Sequence, residues 1–408
     1  VLDVTDKMSP KIVFTVDGGQ GEYAKMGQSW SRPTITKINI GGIVKDVMIV
    51  GGGYDEGQDS KVNRSPDSIG NAVYIIDANT GDMLWSASND NADLMLSDMQ
   101  YSIPARISVI DRDNDGLADH MYVADMGGQI FRLDIYNGQS TSNLIRGGLL
   151  AQLSGDLPEQ HKRFYYAPDI AEISTTNEQY FAIAIGSGFR AGPLNTTVED
   201  SFVMIKDKGV FVRDEFGKFT LPNTPVSPAS LYDATEHLLT SGNAEEQALQ
   251  SNLFASKDGW MIRLTQNGEK VLASPLILDY QIFFTTYLPA SSSASACAPP
   301  TGNSRAYLVN LVDGNAVEDL NDNDQKDATD RFALLKQTGI APDTKILIEN
   351  IVNPVVCLGA ECVSAVIESD ENGQVISCSS DFECLARNIY GKFERVQKNT
   401  WKTEVERE

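Results

Sequence analysis

Residues 73–85 read VYIIDANTGDMLW: an apolar β-branched run, an aspartate, an Asn-Thr-Gly turn, and a second apolar run ending in tryptophan. β-Branched and aromatic residues favour pleated strands, and a Gly-containing polar turn between two such runs reads as a hairpin. The scheme recurs in weaker form at 130–139 (IFRLDIYNGQ) and 306–317 (AYLVNLVDGNAV). Two further runs, VGGGYD at 50–55 and AIGSGFR at 184–190, end in Gly-x-Gly-aromatic. Strand units echoing at roughly 40–60 residues predict the blades of a β-propeller; the competing reading is unrelated hairpins that share turn chemistry.

Outward from this unit the pattern stays β. KDVMIVGGG (45–53), ARISVID (105–111), HMYVAD (120–125), YFAIAIGSG (180–188) and SFVMIKD (201–207) are short apolar runs punctuated by Gly, Asp and Asn. The expected fold is all-β, a modified β-propeller with long loop insertions and a cysteine-bearing C-terminal tail. Residues 1–340 are assigned to the propeller and 341–408 to the tail, packed on it. Within the excursion 191–258, NAEEQALQSNLF predicts a short helix with Ser241 as its cap.

The chain carries 33 basic and 56 acidic residues, a formal net charge of −23. That charge argues against nucleic acid or an anionic membrane as partner. It suits an exported protein living with divalent cations, or serves solubility alone. No run approaches the about 18 apolar residues of a membrane span. The chain opens at Val1 on a strand-turn-strand pattern, read as the downstream part of a longer protein whose targeting segment has been removed.

Just after the first repeat units comes DRDNDGLADHMYVADMGGQIFRLDI, residues 111–135. Asp111, Asp113, Asp115 and Asp119 stand at positions 1, 3, 5 and 9 of an EF-hand-type loop, with Gly116 at position 6 and the Leu117 carbonyl at position 7. Alternation gathers the side-chain oxygens on one side of a tight turn, and their charge calls for a hard cation. Calcium takes roughly six to eight oxygens in flexible geometry. Position 12 is Tyr122 rather than Glu, and HMYVAD reads as a strand. The loop is therefore a compact nine-residue calcium site set into a β-hairpin; its bland counterpart is a solvated Asp-rich turn.

A second candidate is DLNDNDQKDATD, 319–330. Asp319, Asn321, Asn323, Gln325 (carbonyl), Asp327 and Asp330 fall at positions 1, 3, 5, 7, 9 and 12, with Asp324 where Gly would ease the turn. A weaker calcium site and a solvated turn are both open here.

Chemistry-bearing motifs are otherwise absent. His120, His161 and His237 show no metal-ligand spacing, and His120 reads as a surface residue beside Asp119. There is no Gly-x-Ser-x-Gly, P-loop or His-Glu-x-x-His motif. DANTGDMLW faintly resembles the blade motif of quinoprotein dehydrogenases, but vicinal cysteines are missing. The expectation is a non-enzyme. Of the cysteines, Cys297 stands apart from Cys357, Cys362, Cys378 and Cys384. With no histidine near them, disulfides Cys357–Cys362 and Cys378–Cys384 are expected, which leaves one thiol over.

The segment SIPARISVIDRDNDGLADHMYVADMGGQIFRLDI (102–135) resembles the calcium-binding blade of the PilY/PilC family of type IV pilus tip proteins. MGQSWSRPTI (26–35), VGGGYD and NAVYIIDANTGDMLW resemble the preceding blade. DGWMIRLTQNGEKVLASPLILDYQIFFTTYLP (258–289) resembles a later one, and KNTWKTEVERE the closing segment. The resemblance implies a modified β-propeller forming the C-terminal domain of a large exported protein, at the pilus tip, outer-membrane surface or outside the cell. It also implies pilus biogenesis, calcium-dependent control of extension against retraction, and adhesion, with minor pilins and a host surface or glycan as partners. The implied calcium ligands are Asp111, Asp113, Asp115, Leu117 and Asp119. No Arg-Gly-Asp tripeptide is present. The alternatives are a secreted quinoprotein-like oxidoreductase propeller and a lectin-like adhesive propeller.

Overall fold

The computed structural model describes residues 1–176, 178–236, 238–290, 301–321, 323–347, 355–358 and 361–364. His237, Cys297, Cys378 and Cys384 lie outside the described residues.

The hairpin at 73–85 forms as its sequence predicts. Strand Ala72–Asp77 turns through Gly81, at φ +83°, into Met83–Ser88, and Asp77 accepts the Asn79 N–H at 3.0 Å to fix the turn. The echo at 306–317 uses the same device: Asn310 accepts the Val312 N–H at 2.8 Å and Gly314 takes φ +69°. At these turns only glycine enters the left-handed region without strain.

Four sheets carry the molecule. Sheet I comprises Thr34–Ile40, Ile43–Gly51, Ala72–Asp77, Met83–Ser88 and, parallel to the last, Leu94–Met95. Sheet II runs in the order Ile145–Gln152, Gln129–Ile135, His120–Ala124 and Ser108–Ile110, all antiparallel. Sheet III has Asp169–Ser174, Gln179–Gly186, Ser201–Asp207, Gly259–Arg263 and Tyr232–Asp233. Sheet IV centres on Gln281–Leu288, flanked by Asn303–Asn310 with Phe332–Thr338 on one side and by Lys270–Val271 and Leu276–Leu278 on the other. These are the blades of a modified β-propeller.

The sheets stack in chain order, and strand alternation divides each between two cores. In His120–Ala124, Met121 and Val123 join Val73, Ile75 and Trp85 between sheets I and II. Tyr122 and Ala124 face the other way, onto Phe181, Ile183 and Ile185 between sheets II and III. Ala182 and Ala184 in turn meet Trp260, Ile282 and Phe284 between sheets III and IV. Burial on both faces is why these strands read as unbroken apolar runs.

The Gly-x-Gly-aromatic runs lie where the sheets converge. A Cβ on Gly53 would sit 2.2 Å from the Gln28 carbonyl oxygen, and one on Gly188 2.3 Å from that of Val271. The aromatics that follow them, Tyr54 and Phe189, pack with Tyr101, Met126 and Tyr165 into one buried cluster. The helix expected near 243–254 spans Ala244–Ala255, in the chain between strands Tyr232–Asp233 and Gly259–Arg263 of sheet III. Its cap is Asn243, not Ser241: the Asn243 side chain accepts the N–H groups of Glu245 and Glu246, and the Glu246 carboxylate returns the contact in a capping box. Beyond the four sheets, Lys345–Leu347, Val355–Leu358 and Glu361–Ser364 form a small antiparallel sheet. Cys357 is disulfide-bonded, and the register places Cys362 directly across from it.

Candidate metal centre

The Asp111 loop joins Ser108–Ile110 to His120–Ala124, so it closes a hairpin of sheet II, as its sequence predicts. Both neighbouring sheets brace it. The Ala118 N–H donates to the Lys37 carbonyl at 2.9 Å, and the Asn137 amide donates to the Ala118 carbonyl at 3.0 Å. On the other side the Arg112 guanidinium donates to the Val210 carbonyl at 3.0 Å and lies over the rings of Phe211 and Phe219, each 5.4 Å from its centroid. Arg112 is thus committed away from the aspartates that flank it.

Within the loop, backbone N–H groups orient the carboxylates. Gly116 donates to Asp111 Oδ2 at 2.9 Å, Leu117 to Asp115 Oδ1 at 2.8 Å, and Asp115 to Asp113 Oδ1 at 3.2 Å. Gly116 holds φ +87° and Asn114 φ +58°, which makes the bend. Asp111, Asp113 and Asp115 each present an oxygen, and these lie within 4.8 Å of one another. Among the described residues none of the three makes an ion pair, and Asp111 Oδ1 is buried with no hydrogen-bond partner. Three converging carboxylates with an orphaned buried oxygen fit a hard, oxygen-seeking cation such as calcium. Leu117 lies in the same turn. Asp119 is not among the converging carboxylates, and its Oδ2 accepts the backbone N–H of Arg112 at 2.8 Å. Burial, ahead of that opposing hydrogen bond, pushes the Asp119 carboxyl above its ordinary value, and the nearby Asp113 charge adds to the rise.

The second loop closes on itself. Asp330, buried, accepts the N–H groups of Leu320 at 3.0 Å and Asn321 at 3.2 Å through Oδ1, and that of Asp327 at 2.8 Å through Oδ2. Asp327 caps the short turn Ala328–Arg331 by accepting the Thr329 N–H. Asp319 accepts the Asn323 N–H at 3.3 Å, Asn323 accepts that of Gln325 at 2.8 Å, and the Asn321 amide donates to Thr329 Oγ1 at 3.0 Å. Asp324 does take the left-handed turn position, at φ +62°. Both oxygens of Asp330 are taken by backbone donors, whereas Asp111 of the first loop keeps one buried oxygen without a partner.

His120 is corrected by the structure: it is fully buried, not on the surface. It begins a strand whose residues are all buried, and its Nδ1 lies 2.7 Å from Asp134 Oδ1. Arg132 joins Asp134, at 3.0 Å, to Asp207, at 2.7 Å, and donates to the Thr220 carbonyl at 2.6 Å. Tyr122 donates to Asp207 at 2.8 Å. Burial would lower the Arg132 pKa, but Asp207 and Asp134 hold it above the ordinary value. This network crosses from sheet II to sheet III directly behind the Asp111 loop.

No family model matches the chain. A type IV pilus biogenesis factor PilY1 homolog of Xylella fastidiosa is 25% identical over 311 residues, which cover 72% of this chain and 19% of that protein. The type IV pilus biogenesis factor PilY1 of Pseudomonas aeruginosa PAO1 is 26% identical over 141 residues, 34% of this chain and 10% of that protein. The matched part is thus a fifth or less of either relative's length. Among solved structures, the Pseudomonas aeruginosa PilY1 C-terminal domain superposes with a TM-score of 0.60 at 17% identity, covering 88% of this chain and 76% of that one. The resemblance to the C-terminal domain of the PilY/PilC family and the modified propeller fold are both borne out.

Proposed function

We propose that this chain, similar in sequence to part of the type IV pilus biogenesis factors and in fold to a PilY1 C-terminal domain, is a calcium-binding propeller of an exported, pilus-tip protein. It is a non-enzymatic module that serves pilus biogenesis, the balance of extension against retraction, and adhesion. Minor pilins and a host surface are its partners. Among the described residues no helix is long and apolar enough to cross a membrane.

The observation that carries the calcium reading is the convergence of Asp111, Asp113 and Asp115 around the orphaned Asp111 oxygen. Bound there, the cation would supply charge neutralisation and nothing chemical. The residues of the chain do the rest: Gly116 and Asn114 bend the turn, Arg112 and Ala118 brace it against sheets III and I, and sheet II holds its two ends in register. A ligand that binds only the ordered loop shifts the population toward that arrangement. The quinoprotein-like reading has less support, since Tyr54, Tyr101, Met126, Tyr165 and Phe189 fill the point where the sheets converge.

The test is calcium titration calorimetry on the chain and on Asp113→Ala. Extracellular calcium modules bind at roughly 10⁻⁴–10⁻³ M, tuned by ligand charge. The wild type should show such a site, and Asp113→Ala should lose it with the fold kept, because the loop caps a hairpin whose strands pack independently of it. In cells the same change in the full-length protein should leave it made but impair pilus extension or retraction. Normal pilus behaviour in a strain whose loop is shown to bind no calcium would reduce the ion to a structural part. A residual weaker calorimetric signal in Asp113→Ala, abolished by Asp319→Ala with Asp327→Ala, would assign calcium to the second loop as well.

A further inference from the structure

On the side of the axial aromatic cluster near Tyr165, segments from all four sheets enclose an open cleft of about 800 Å³. Its walls carry Arg32, which leads into sheet I, Arg106, which leads into sheet II, and Arg190, which follows the Gly-x-Gly-Phe run of sheet III. In a chain with 56 acidic and 33 basic residues, three arginines meeting in one cleft run against the composition. Among the described residues none of the three lies in an ion pair. Arg106 Nε donates to Thr34 Oγ1 at 3.1 Å, and Arg190 donates to the Tyr166 hydroxyl and, at 3.4 Å, to the Leu272 carbonyl. Neutral partners of this kind position a guanidinium without neutralising it, and the charge of Arg106 is felt by the Asp169 carboxyl in the same cleft without a direct ion pair.

Aromatic surface lies beside that charge. Trp30 lines the cleft with its ring 5.2 Å from Tyr54 and remains 55% exposed, and Tyr166 lines it too. Two carboxylates also face in. Asp169 accepts the Ile277 N–H at 2.6 Å, and Asp343 accepts that of Ser274 at 2.8 Å, so each is fixed by sheet IV with acceptor capacity to spare. The combination narrows the ligand. Arginine forks take a carboxylate, a flat indole takes the apolar face of a ring, and the aspartates accept hydroxyls while repelling a second negative charge. A densely charged ligand, such as an acidic peptide, would place carboxylates against Asp169 and Asp343.

We propose that this cleft is a binding site for a saccharide bearing a single carboxylate per ring, of the uronic or sialic acid class. The volume lies within the range of small-molecule sites, roughly 300–1,000 Å³. The site is separate from the Asp111 loop and does not depend on that loop holding calcium.

Saturation-transfer NMR and calorimetry on the full chain test it, with N-acetylneuraminic acid, digalacturonate, their methyl esters, and a capped tri-glutamate peptide as probes. At least one acid should bind, and roughly tenfold or more tighter than its ester, the loss expected when a charge-assisted hydrogen bond goes. Which acid binds identifies the source. Arg106→Gln and Arg190→Gln should each weaken the acid by a similar factor and leave the ester unchanged, while Trp30→Ala should weaken both. Arg106 and Trp30 are exposed, so those two variants keep the test valid if Arg190→Gln perturbs packing through Tyr166. Equal affinity for acid and ester, tighter binding of the peptide, unchanged affinity in both arginine variants, or no saccharide binding at millimolar concentration would overturn the proposal.

Discussion

His161 is an ionisable side chain that the fold buries without a charge partner. Its Nδ1 meets the Val62 carbonyl at 3.4 Å, and its Nε2 has no partner among the described residues. Burial, with the neighbouring Arg163 charge second, pushes its pKa down to about 4. A histidine whose folded value lies below its unfolded one binds a proton more readily when unfolded. Its neutral form therefore supports the fold above the unfolded value of about 6.5, and stability drains away as pH falls from there toward the folded value. We expect His161→Gln to lose less stability than wild type between about pH 7 and about pH 4.5, by up to roughly 3 kcal/mol, a bound set by the size of the shift. Urea denaturation at the two pH values measures it, and equal losses in both proteins would mean that this ring carries no acid sensitivity. The Asp111 loop was legible at the residue scale because its information is local, with alternating oxygens and one glycine inside nine positions. The His120–Asp134–Arg132–Asp207 network was not, because its sheet II members meet only through strand register and Asp207 joins them only when sheet III packs on sheet II. The available signal was a set of lone polar residues within strands otherwise apolar, in HMYVAD and IFRLDI.

Two glycines at positive φ show how the same residue type serves different ends at the scale of elements. Gly116, at φ +87°, has no atom within 4 Å of where a Cβ would stand. Gly53, at φ +92°, would drive a Cβ to 2.2 Å from the Gln28 carbonyl oxygen. Gly116→Ala should therefore cost about 1–2 kcal/mol, the left-handed penalty alone. Gly53→Ala should cost more than that, because a backbone must move where the sheets converge. Thermal melts of the two variants decide it, and equal destabilisation would remove the argument that the Gly-rich runs exist for close approach. The strands themselves were readable in sequence because period and composition agree. The helix at 244–255 was readable too, but its cap was misplaced by two residues: Ser241 and Asn243 both have capping side chains, and only the reciprocal contact with Glu246 selects between them.

Across the whole molecule, each core belongs to two sheets. Trp85 is buried between sheets I and II, and Trp260 between sheets III and IV, where its indole N–H donates to the Leu311 carbonyl at 2.9 Å. Sheet II cannot lose its packing on sheet I without exposing the opposite faces of strands that also pack on sheet III, since neighbouring residues such as Tyr122 and Val123 sit in different cores. The Arg132 bridge to Asp207 adds a buried charge contact across the same boundary, and breaking such a contact typically costs about 3–5 kcal/mol. Opening one boundary therefore destabilises the next, and the described sheets should unfold as one unit rather than blade by blade. Fluorescence is a direct test, because Trp85 and Trp260 report on boundaries at opposite ends of the stack. In a Trp30→Phe, Trp401→Phe background, variants keeping only Trp85 or only Trp260 should give denaturation midpoints that coincide with each other and with far-UV circular dichroism. A Trp260 transition clearly separated from that of Trp85 would mean that the boundary between sheets II and III does not transmit cooperativity, despite its buried ion pair and its shared strands.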